Sequence, residues 1–222
     1  MESTETGAAS APTDAVVRPD HKATLHRYLQ AARDALVWKV EGLDERAARW
    51  PWTPTGTNLL GLVKHAAGVE FGYFGQTFGR EWPTPDDVPW MAEDAADGED
   101  NADMWATAEE SIGSVVDLYR RVWAFADETI ATLDLDATGR VPWWPDDRSG
   151  ITLLQVMVHV TSDLARHAGH ADILRELTDG SAGLRADNDN LPPLSAHDWS
   201  AHVARLRAIA DEAQHRADAR RT

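Results

Sequence analysis

The stretch that decides the fold occupies residues 156–180 and reads VMVHVTSDLARHAGHADILRELTDG. Its apolar residues recur at intervals of three and four, which is typical of an amphipathic helix and predicts one over about residues 150–179. Gly180 comes directly after it and is a good helix C-cap. A helix of this length needs partners that cover its apolar face, so the rest of the chain is expected to supply further helices.

The same helical period recurs on both sides of this stretch. Residues 81–103 interrupt it with an acidic connection longer than is usual between adjacent helices, which indicates a crossover whose side chains are expected to be solvated rather than to gate a site. No β-strand pattern is evident. The prediction is an all-α fold, a four-helix bundle with a long crossover connection and an additional C-terminal helix. The helices are expected over about residues 20–43, 57–79, 103–134 and 150–179, and from near Ser195 onward.

The chain is expected to divide into three parts. Residues 1–18 are rich in Ala, Thr, Glu and Ser without periodicity and are predicted to be a disordered N-terminal tail. Residues 19–183 form the bundle, and residues 184–222 form a linker and the C-terminal helix. Residues 1–19 have no apolar core, and no stretch approaches the roughly 18 apolar residues of a membrane span. Neither a signal peptide nor membrane insertion is therefore predicted, and the expected location is cytoplasmic.

The composition excludes several classes of function. The chain carries 37 acidic and 21 basic side chains, a formal net charge of −16. A chain so acidic, with no clustered basic patch, is not expected to bind nucleic acid. It contains no cysteine, so disulfides, thiolate metal ligands and a cysteine nucleophile are impossible. A bound metal must be held by nitrogen and oxygen donors, and thiol chemistry must use a thiol that a substrate brings.

Four polar side chains interrupt the apolar face of the helix predicted over residues 150–179. With His159 at zero and about 100° per residue, Asp163 falls near ~40°, His167 near ~80° and His170 near ~20°. Burial of a carboxylate and imidazoles is costly unless they are paired or bound to a metal. The pattern indicates a metal site or, alternatively, a buried His–Asp hydrogen-bond network. The same arc holds four apolar residues, Val156, Val160, Leu174 and Leu177.

The spacing leaves two ligand pairs open, because one ion can use two side chains one helical turn apart. The pairs are His159 with Asp163, and Asp163 with His167, so that Asp163 belongs to both. A third ligand should come from a facing helix. His65 is the single histidine of the second predicted helix and lies within its apolar face, which makes it the natural candidate.

Two motifs carry a resemblance to a known family. The first spans residues 42–70 and includes PTG at 54–56 and LGLVKH at 60–65. The second spans residues 158–180 and includes RHAGHADILRE at 166–176. In these motifs the chain resembles the DinB-like superfamily and, within it, the branch of mycothiol transferases. Together with the helix between them, the motifs extend the resemblance over about residues 20–183.

The resemblance implies a DinB-like four-helix bundle with a divalent metal, zinc most often and nickel in some members, held by three side chains. Matched residue by residue, the ligands are His65, Asp163 and His167, which selects His167 over His159 as the partner of Asp163. The branch usually has Glu where Asp163 stands. With this shorter side chain, His159 or His170 could act as a further ligand, orient the ligands or move protons, and both are taken as candidate catalytic residues.

Three protein ligands leave coordination positions open, which is typical of a catalytic metal. The leading hypothesis is a metal-dependent S-transferase in which a low-molecular-weight thiol, mycothiol by resemblance, binds as thiolate and attacks a small electrophile. One alternative is a metal-dependent hydrolase that activates water, with Glu70 or His170 as base. The other is a non-catalytic, stress-related metal-binding protein. A homodimer is a possible assembly. Four loop tryptophans either wall the site or cover the bundle ends: Trp82, Trp90, Trp143 and Trp144.

Overall fold

The computed structural model describes residues 20–85, 88, 90, 101–193 and 198–221. The tail predicted over residues 1–18, most of the acidic connection and the start predicted for the last helix lie outside these ranges. Helices dominate the described part, and its strands are confined to one short hairpin, which confirms the all-α prediction. Its elements are α1 (His21–Trp38), α2 (Glu45–Arg49), α3 (Leu59–Phe74), α4 (Ile112–Thr132), β1 (Thr138–Arg140), β2 (Gly150–Thr152), α5 (Leu153–Asp179) and α6 (Trp199–Ala219).

Four of the five long helices in the described part, α1, α3, α4 and α5, form a bundle in which α1 packs on α5 and α3 packs on both α4 and α5. Contacts that side chains make across neighbouring helices, four with side chains and two with backbone carbonyls, fix the helix directions. α3 and α4 run the same way, whereas α4 is antiparallel to α1 and α3 is antiparallel to α5. Because α3 and α4 are parallel neighbours, the chain between them must return along the bundle, which explains the long crossover. The pairs are Glu70–Tyr119, Phe74–Thr129, Lys22–Leu133, His26–Asp127, Tyr73–His159 and His65–Asp163.

Side-chain caps set the first residues of α4 and α5, which hydrophobic periodicity alone does not predict. The helix predicted from residue 103 begins only at Ile112, because Ser111 caps it by accepting from the Ser114 amide. Residues 101–111 instead dock on α3. α5 begins at Leu153 with a reciprocal capping box of Thr152 and Gln155.

Two other helices end earlier than predicted. α1 stops at Trp38 rather than near residue 43, because the Arg175 guanidinium takes three carbonyls there and Gly42 turns the chain at φ 75°. α3 stops at Phe74 and is followed by a 3₁₀ turn, Gln76–Phe78. The carbonyls that Arg175 binds are those of Trp38, Lys39 and Glu41.

The expectation of no β-strand was wrong. β1 and β2 form an antiparallel hairpin directly before α5, with Thr138 opposite Thr152. Each strand is three residues long, which is too short to display the apolar–polar alternation by which a strand is recognised. The hairpin packs beside the Gln76–Phe78 turn, where a Cβ on Gly139 would crowd the Phe78 ring.

Three glycines give α3 a face that other segments approach closely. A Cβ on Gly61 would overlap the carbonyl of Met104, and Cβ atoms on Gly68 and Gly72 would press on the Trp90 and Trp143 rings. His65 lies on this same face of α3, between the glycines. The crossover segment and two indoles can therefore lie against the helix on either side of His65.

α6 has no buried residue, and its apolar side chains Val203, Leu206 and Ile209 are exposed. In the described part of the chain, no helix combines the length and the apolar character needed to cross a membrane.

Candidate metal centre

Two antiparallel helices bring together the three residues that were predicted as metal ligands. His65 comes from the middle of α3, and Asp163 and His167 stand one turn apart on α5. One potential ligand atom from each lies within 4.8 Å of the other two. Asp163 Oδ2 is 3.8 Å from His65 Nε2 and 3.6 Å from His167 Nε2. The carboxylate oxygen thus stands between the two imidazoles.

The separations in this cluster suit a cation better than direct hydrogen bonds. Both N–O distances exceed the roughly 2.7–3.2 Å of a good hydrogen bond. Among the described residues, the buried Asp163 Oδ2 has no hydrogen-bond partner, although a buried carboxylate oxygen is normally paired. Two imidazoles and a carboxylate form a donor set typical of zinc, with ligand distances of about 2.0–2.2 Å. The residues present therefore fit a divalent metal ion.

Asp103 holds the other side of the His65 ring. His65 Nδ1 lies 2.6 Å from Asp103 Oδ2, in the segment that docks on α3. The hydrogen bond from His65 lowers the pKa of Asp103, against the opposing effect of burial. A histidine ligand commonly has a carboxylate on its second nitrogen. Sequence reasoning missed Asp103 because it belongs to an acidic stretch expected to be solvated, with no periodicity to place it.

Burial changes the pKa of His167, the second imidazole of the cluster. It lowers the pKa of His167, and the nearby Asp163 carboxylate only partly opposes this effect. The neutral ring is therefore favoured, and a metal needs the neutral form because the lone pair is its ligand. The His65 and His167 rings meet edge to face with centroids 4.7 Å apart, so their nitrogens converge without the planes stacking.

The two remaining members of the polar stripe lie on the exposed side of α5. His159 and His170 are exposed, whereas Asp163 and His167 are partly buried. The stripe thus follows the edge of the apolar face rather than its centre, contrary to the expectation, and Leu177 on the same arc is also exposed. The cluster is consequently open to solvent along one side.

The exposed histidines have different neighbours. The His170 ring is 5.6 Å from the His167 ring. His159, one turn before Asp163, packs on Tyr73 at 4.7 Å and on Trp144 at 5.7 Å between ring centroids. Of the two pairs left open by spacing, the structure joins Asp163 and His167 to His65 and places His159 in an aromatic cluster beside them.

The four loop tryptophans divide between the core and the site. Trp82 is buried against Phe71 and Phe125 and belongs to the core. Trp90 lies over Gly68 and near the Lys64 ammonium. Trp143 and Trp144 both contact the Tyr73 ring. Trp90 and Trp143 therefore lie on the glycine face of α3 that carries His65, and Trp144 lies beside His159. Trp143 remains 50% exposed.

Glu70, the candidate base of the hydrolase hypothesis, is turned away from the cluster. It lies about 140° around α3 from His65 and is fully buried. Arg33 Nε donates to both of its carboxylate oxygens at 3.0 and 2.9 Å. Tyr119 donates to Oε1 at 2.9 Å. A carboxylate enclosed in this way is part of the core and cannot reach a substrate at His65.

The comparisons with known proteins agree with this geometry. A family model described as mycothiol-S-transferase matches residues 24–180, which include the three clustered residues and all of the four bundle helices except the first three residues of α1. No curated protein matches the chain. With a match over more than half its length, this chain belongs to the mycothiol-S-transferase family.

Proposed function

We propose that this protein is a metal-dependent S-transferase that joins a mycothiol-type thiol to a small electrophile. The observation that carries the proposal is the open cluster of His65, Asp163 and His167, with a buried carboxylate oxygen that has no hydrogen-bond partner among the described residues. The family match supports the choice of thiol. The absence of cysteine is consistent with a substrate that supplies the only reacting sulfur.

His65, Asp163 and His167 would hold the ion, and zinc is the metal that their donor atoms favour. When bound, a divalent metal lowers the pKa of a thiol so that the nucleophilic thiolate forms near neutral pH. Asp163 would neutralise one unit of the ion's charge, and Asp103 contacts the other nitrogen of the His65 ring. The site is exposed along the side of His170, which is where a substrate thiol would enter.

The exposed histidines would handle protons and substrate. His170 is close to His167 and open to solvent, so we assign it acceptance of the thiol proton and its release to water. His159 would contact substrate beside the metal. In the transfer, a sulfur–carbon bond forms from the thiolate lone pair. In a substitution, the leaving group departs with the electrons of its own bond to carbon. In an addition, the π pair of the attacked double bond shifts to the adjacent atom, which takes up a proton from water.

The aromatic cluster beside His159 would bind the electrophile. Tyr73 and Trp144 contact His159, which lies one turn along α5 from Asp163. Trp143 packs on Tyr73, and its exposed half offers an apolar face beside this cluster. Burial of such a face against a planar or apolar molecule is favourable. The proposed electrophile is therefore an apolar molecule rather than a charged one.

The first test is metal content by plasma mass spectrometry on tag-free wild type and His167→Ala. Near-stoichiometric zinc or nickel in wild type and its loss in the variant are expected. The matched control is His215→Ala, an exposed histidine of α6 far along the chain from the cluster, which should keep the wild-type metal content. A wild type without metal, even after reconstitution, would contradict the ligand assignment.

The second test is turnover with mycothiol and monochlorobimane, in which chloride leaves as the sulfur–carbon bond forms. Activity that needs both the thiol and the metal, and that His167→Ala lacks, is expected. Turnover of activated esters without thiol would favour the hydrolase instead. If a metal-loaded protein did neither, the non-catalytic, stress-related alternative would be the better one. The homodimer and the cytoplasmic location stay predictions.

A further inference from the structure

We propose that Asp103 is a positioning residue that fixes the tautomer of His65, so that metal affinity depends on the crossover segment as well as on the ligands. The inference rests on the metal centre of the proposed function. It adds a residue outside the three ligands and couples the docked segment, residues 101–111, to occupancy of the site.

The hydrogen bond determines which His65 nitrogen is available. A neutral imidazole has one N–H and one lone pair. An ionised carboxylate only accepts, so at 2.6 Å from Asp103 Oδ2 the Nδ1 atom must carry the proton. The lone pair is then on Nε2, the atom that faces Asp163 at 3.8 Å. The opposite tautomer would present a proton to the cation and could not bind it.

The docked segment is held on α3 by contacts other than His65, so the position of Asp103 does not depend on His65 alone. The Asn58 amide donates to the Met104 carbonyl at 3.3 Å. Farther along, the almost fully buried Lys64 Nζ pairs with Glu110 at 2.9 Å. Gly61 provides the space in which the Met104 carbonyl approaches the helix. These contacts place the Asp103 carboxylate against His65 before any metal binds.

Metal binding and docking of the segment should stabilise each other. A cation on Nε2 withdraws electron density from the ring and makes Nδ1–H a stronger donor to Asp103. By thermodynamic linkage, the factor by which the docked segment increases metal affinity equals the factor by which metal favours docking. The segment is therefore a lever on affinity that the three ligands alone would not reveal.

The tautomer can be measured without metal, by long-range ¹H–¹⁵N correlation of the imidazoles at alkaline pH. The His65 signals are assigned by their absence in His65→Gln. Wild type should show His65 as the Nδ1–H form, and Asp103→Ala should shift it toward Nε2–H. A residue with a merely structural role would not move this signal. An Nε2–H tautomer in wild type, or no change in the variant, would overturn the proposal.

Affinity is measured by zinc competition with a chelator. Asp103→Ala is expected to bind about 10–100-fold more weakly, as is typical when the partner of a ligand histidine is lost. Asp103→Asn keeps an acceptor oxygen and should lose less, and it remains informative if the alanine variant folds poorly. Glu109→Gln removes the same charge from an exposed position of the same segment and is the matched control. Equal effects of Glu109→Gln and Asp103→Ala would contradict the proposal.

Hydrogen exchange tests the linkage from the other side. Zinc should slow exchange of amides in residues 101–111 of wild type, and this effect should shrink in Asp103→Asn. Zinc that binds wild type without changing that segment would refute the coupling. If wild type bound no zinc at all, the proposed function would fail, whereas the tautomer of the metal-free protein would still decide the role of Asp103.

Discussion

Two polar clusters lie on different sides of α3 and differ in what their oxygens contact. On the core side, Arg33 and Glu70 have fully buried side chains and every Glu70 oxygen accepts a hydrogen bond. On the other side, the buried Asp163 Oδ2 has no hydrogen-bond partner within the described ranges and two imidazole nitrogens face it at 3.6 and 3.8 Å. The first cluster is complete as built, whereas the second has the geometry and donor atoms that a cation would complete.

The complete cluster also shows how the bundle tolerates charge in its core. Burial alone would lower the pKa of Arg33, but Glu70 and Asp127 more than compensate and raise it, so the guanidinium stays charged. Burial beside Glu70 raises the pKa of Tyr119 well above its usual value, so its hydroxyl remains a donor. The contrast teaches that burial of charge does not by itself indicate a functional site in this protein. What sets the Asp163 cluster apart is a carboxylate oxygen that has no donor in the described structure and is faced by two imidazole nitrogens.

The largest effect is expected when the complete cluster is broken. Arg33→Met would leave the Glu70 carboxylate buried without its cation, which should lower the free energy of unfolding by about 3–5 kcal/mol. Chemical denaturation followed by circular dichroism measures it. The control is Arg33→Met with Glu70→Leu, which removes both charges and should regain most of the loss. If Arg33→Met were as stable as the double variant, the claim that Arg33 compensates the buried charge of Glu70 would be contradicted.

The next effect concerns the incomplete cluster. Zinc at 100 times its Kd should raise the free energy of unfolding of wild type by about 2.7 kcal/mol, because it binds the folded state. Asp163→Ala should lose this increment, whereas Arg33→Met should keep it despite its lower baseline. Thermal unfolding with and without zinc measures both. An increment that survives in Asp163→Ala would place the ion elsewhere.

A smaller, pH-dependent effect is expected at the end of α5, where the buried Arg175 pairs with the partly exposed carboxylate of Asp179. Hydrogen bonds from Arg175 lower the pKa of Asp179 below its ordinary 3.8, against a slight opposing effect of burial. A carboxyl group whose pKa is lower in the folded state than in the unfolded state stabilises the fold at pH values above the unfolded-state pKa. This stabilisation is lost as the pH falls through the folded-state pKa. The free energy of unfolding of wild type should therefore be higher than that of Asp179→Asn, by less than about 1 kcal/mol, near neutral pH. The gap should close below roughly pH 4; a gap that widens there would contradict the assignment.

The smallest effect is expected for Asp163→Asn without metal. This carboxylate has no hydrogen bond to lose at Oδ2 within the described structure, so the free energy of unfolding should change by no more than about 0.5 kcal/mol. Denaturation in the presence of a chelator measures it. A loss of several kcal/mol would instead favour the buried His–Asp network that the sequence left open, and would remove the distinction between the two clusters.

The sequence predicted the bundle because hydrophobic period survives in any amphipathic helix. The boundaries were less predictable, since they depend on partners distant in the chain. α1 ends where the Arg175 guanidinium donates to the carbonyls of Trp38, Lys39 and Glu41. α4 begins at Ile112, directly after its Ser111 cap, rather than at residue 103. The crossover was correctly inferred from loop length, but the parallel arrangement of α3 and α4 that requires it is visible only in the contacts.

For the candidate site, spacing on one helix and a resemblance placed His65, Asp163 and His167 together, and the structure brings them within reach of one ion. Periodicity could not place Asp103, because an acidic stretch with no helical period looks solvated. It also put all four polar residues of α5 on one stripe without showing that its edge is exposed. Exposure of this edge depends on how α5 is rotated against its neighbours. The sequence of α5 alone does not determine that rotation.

The glycine face of α3 also bears on how the protein folds. Gly61, Gly68 and Gly72 each disfavour an isolated helix by about 1 kcal/mol relative to alanine, so α3 has little helicity of its own. α5 has its capping box and a C-terminal glycine cap and should form much earlier. Asp163 and His167 would then stand one turn apart before His65 arrives. We expect the three-residue site to be among the last features assembled, with closure of α3 against α5 as the step that creates it.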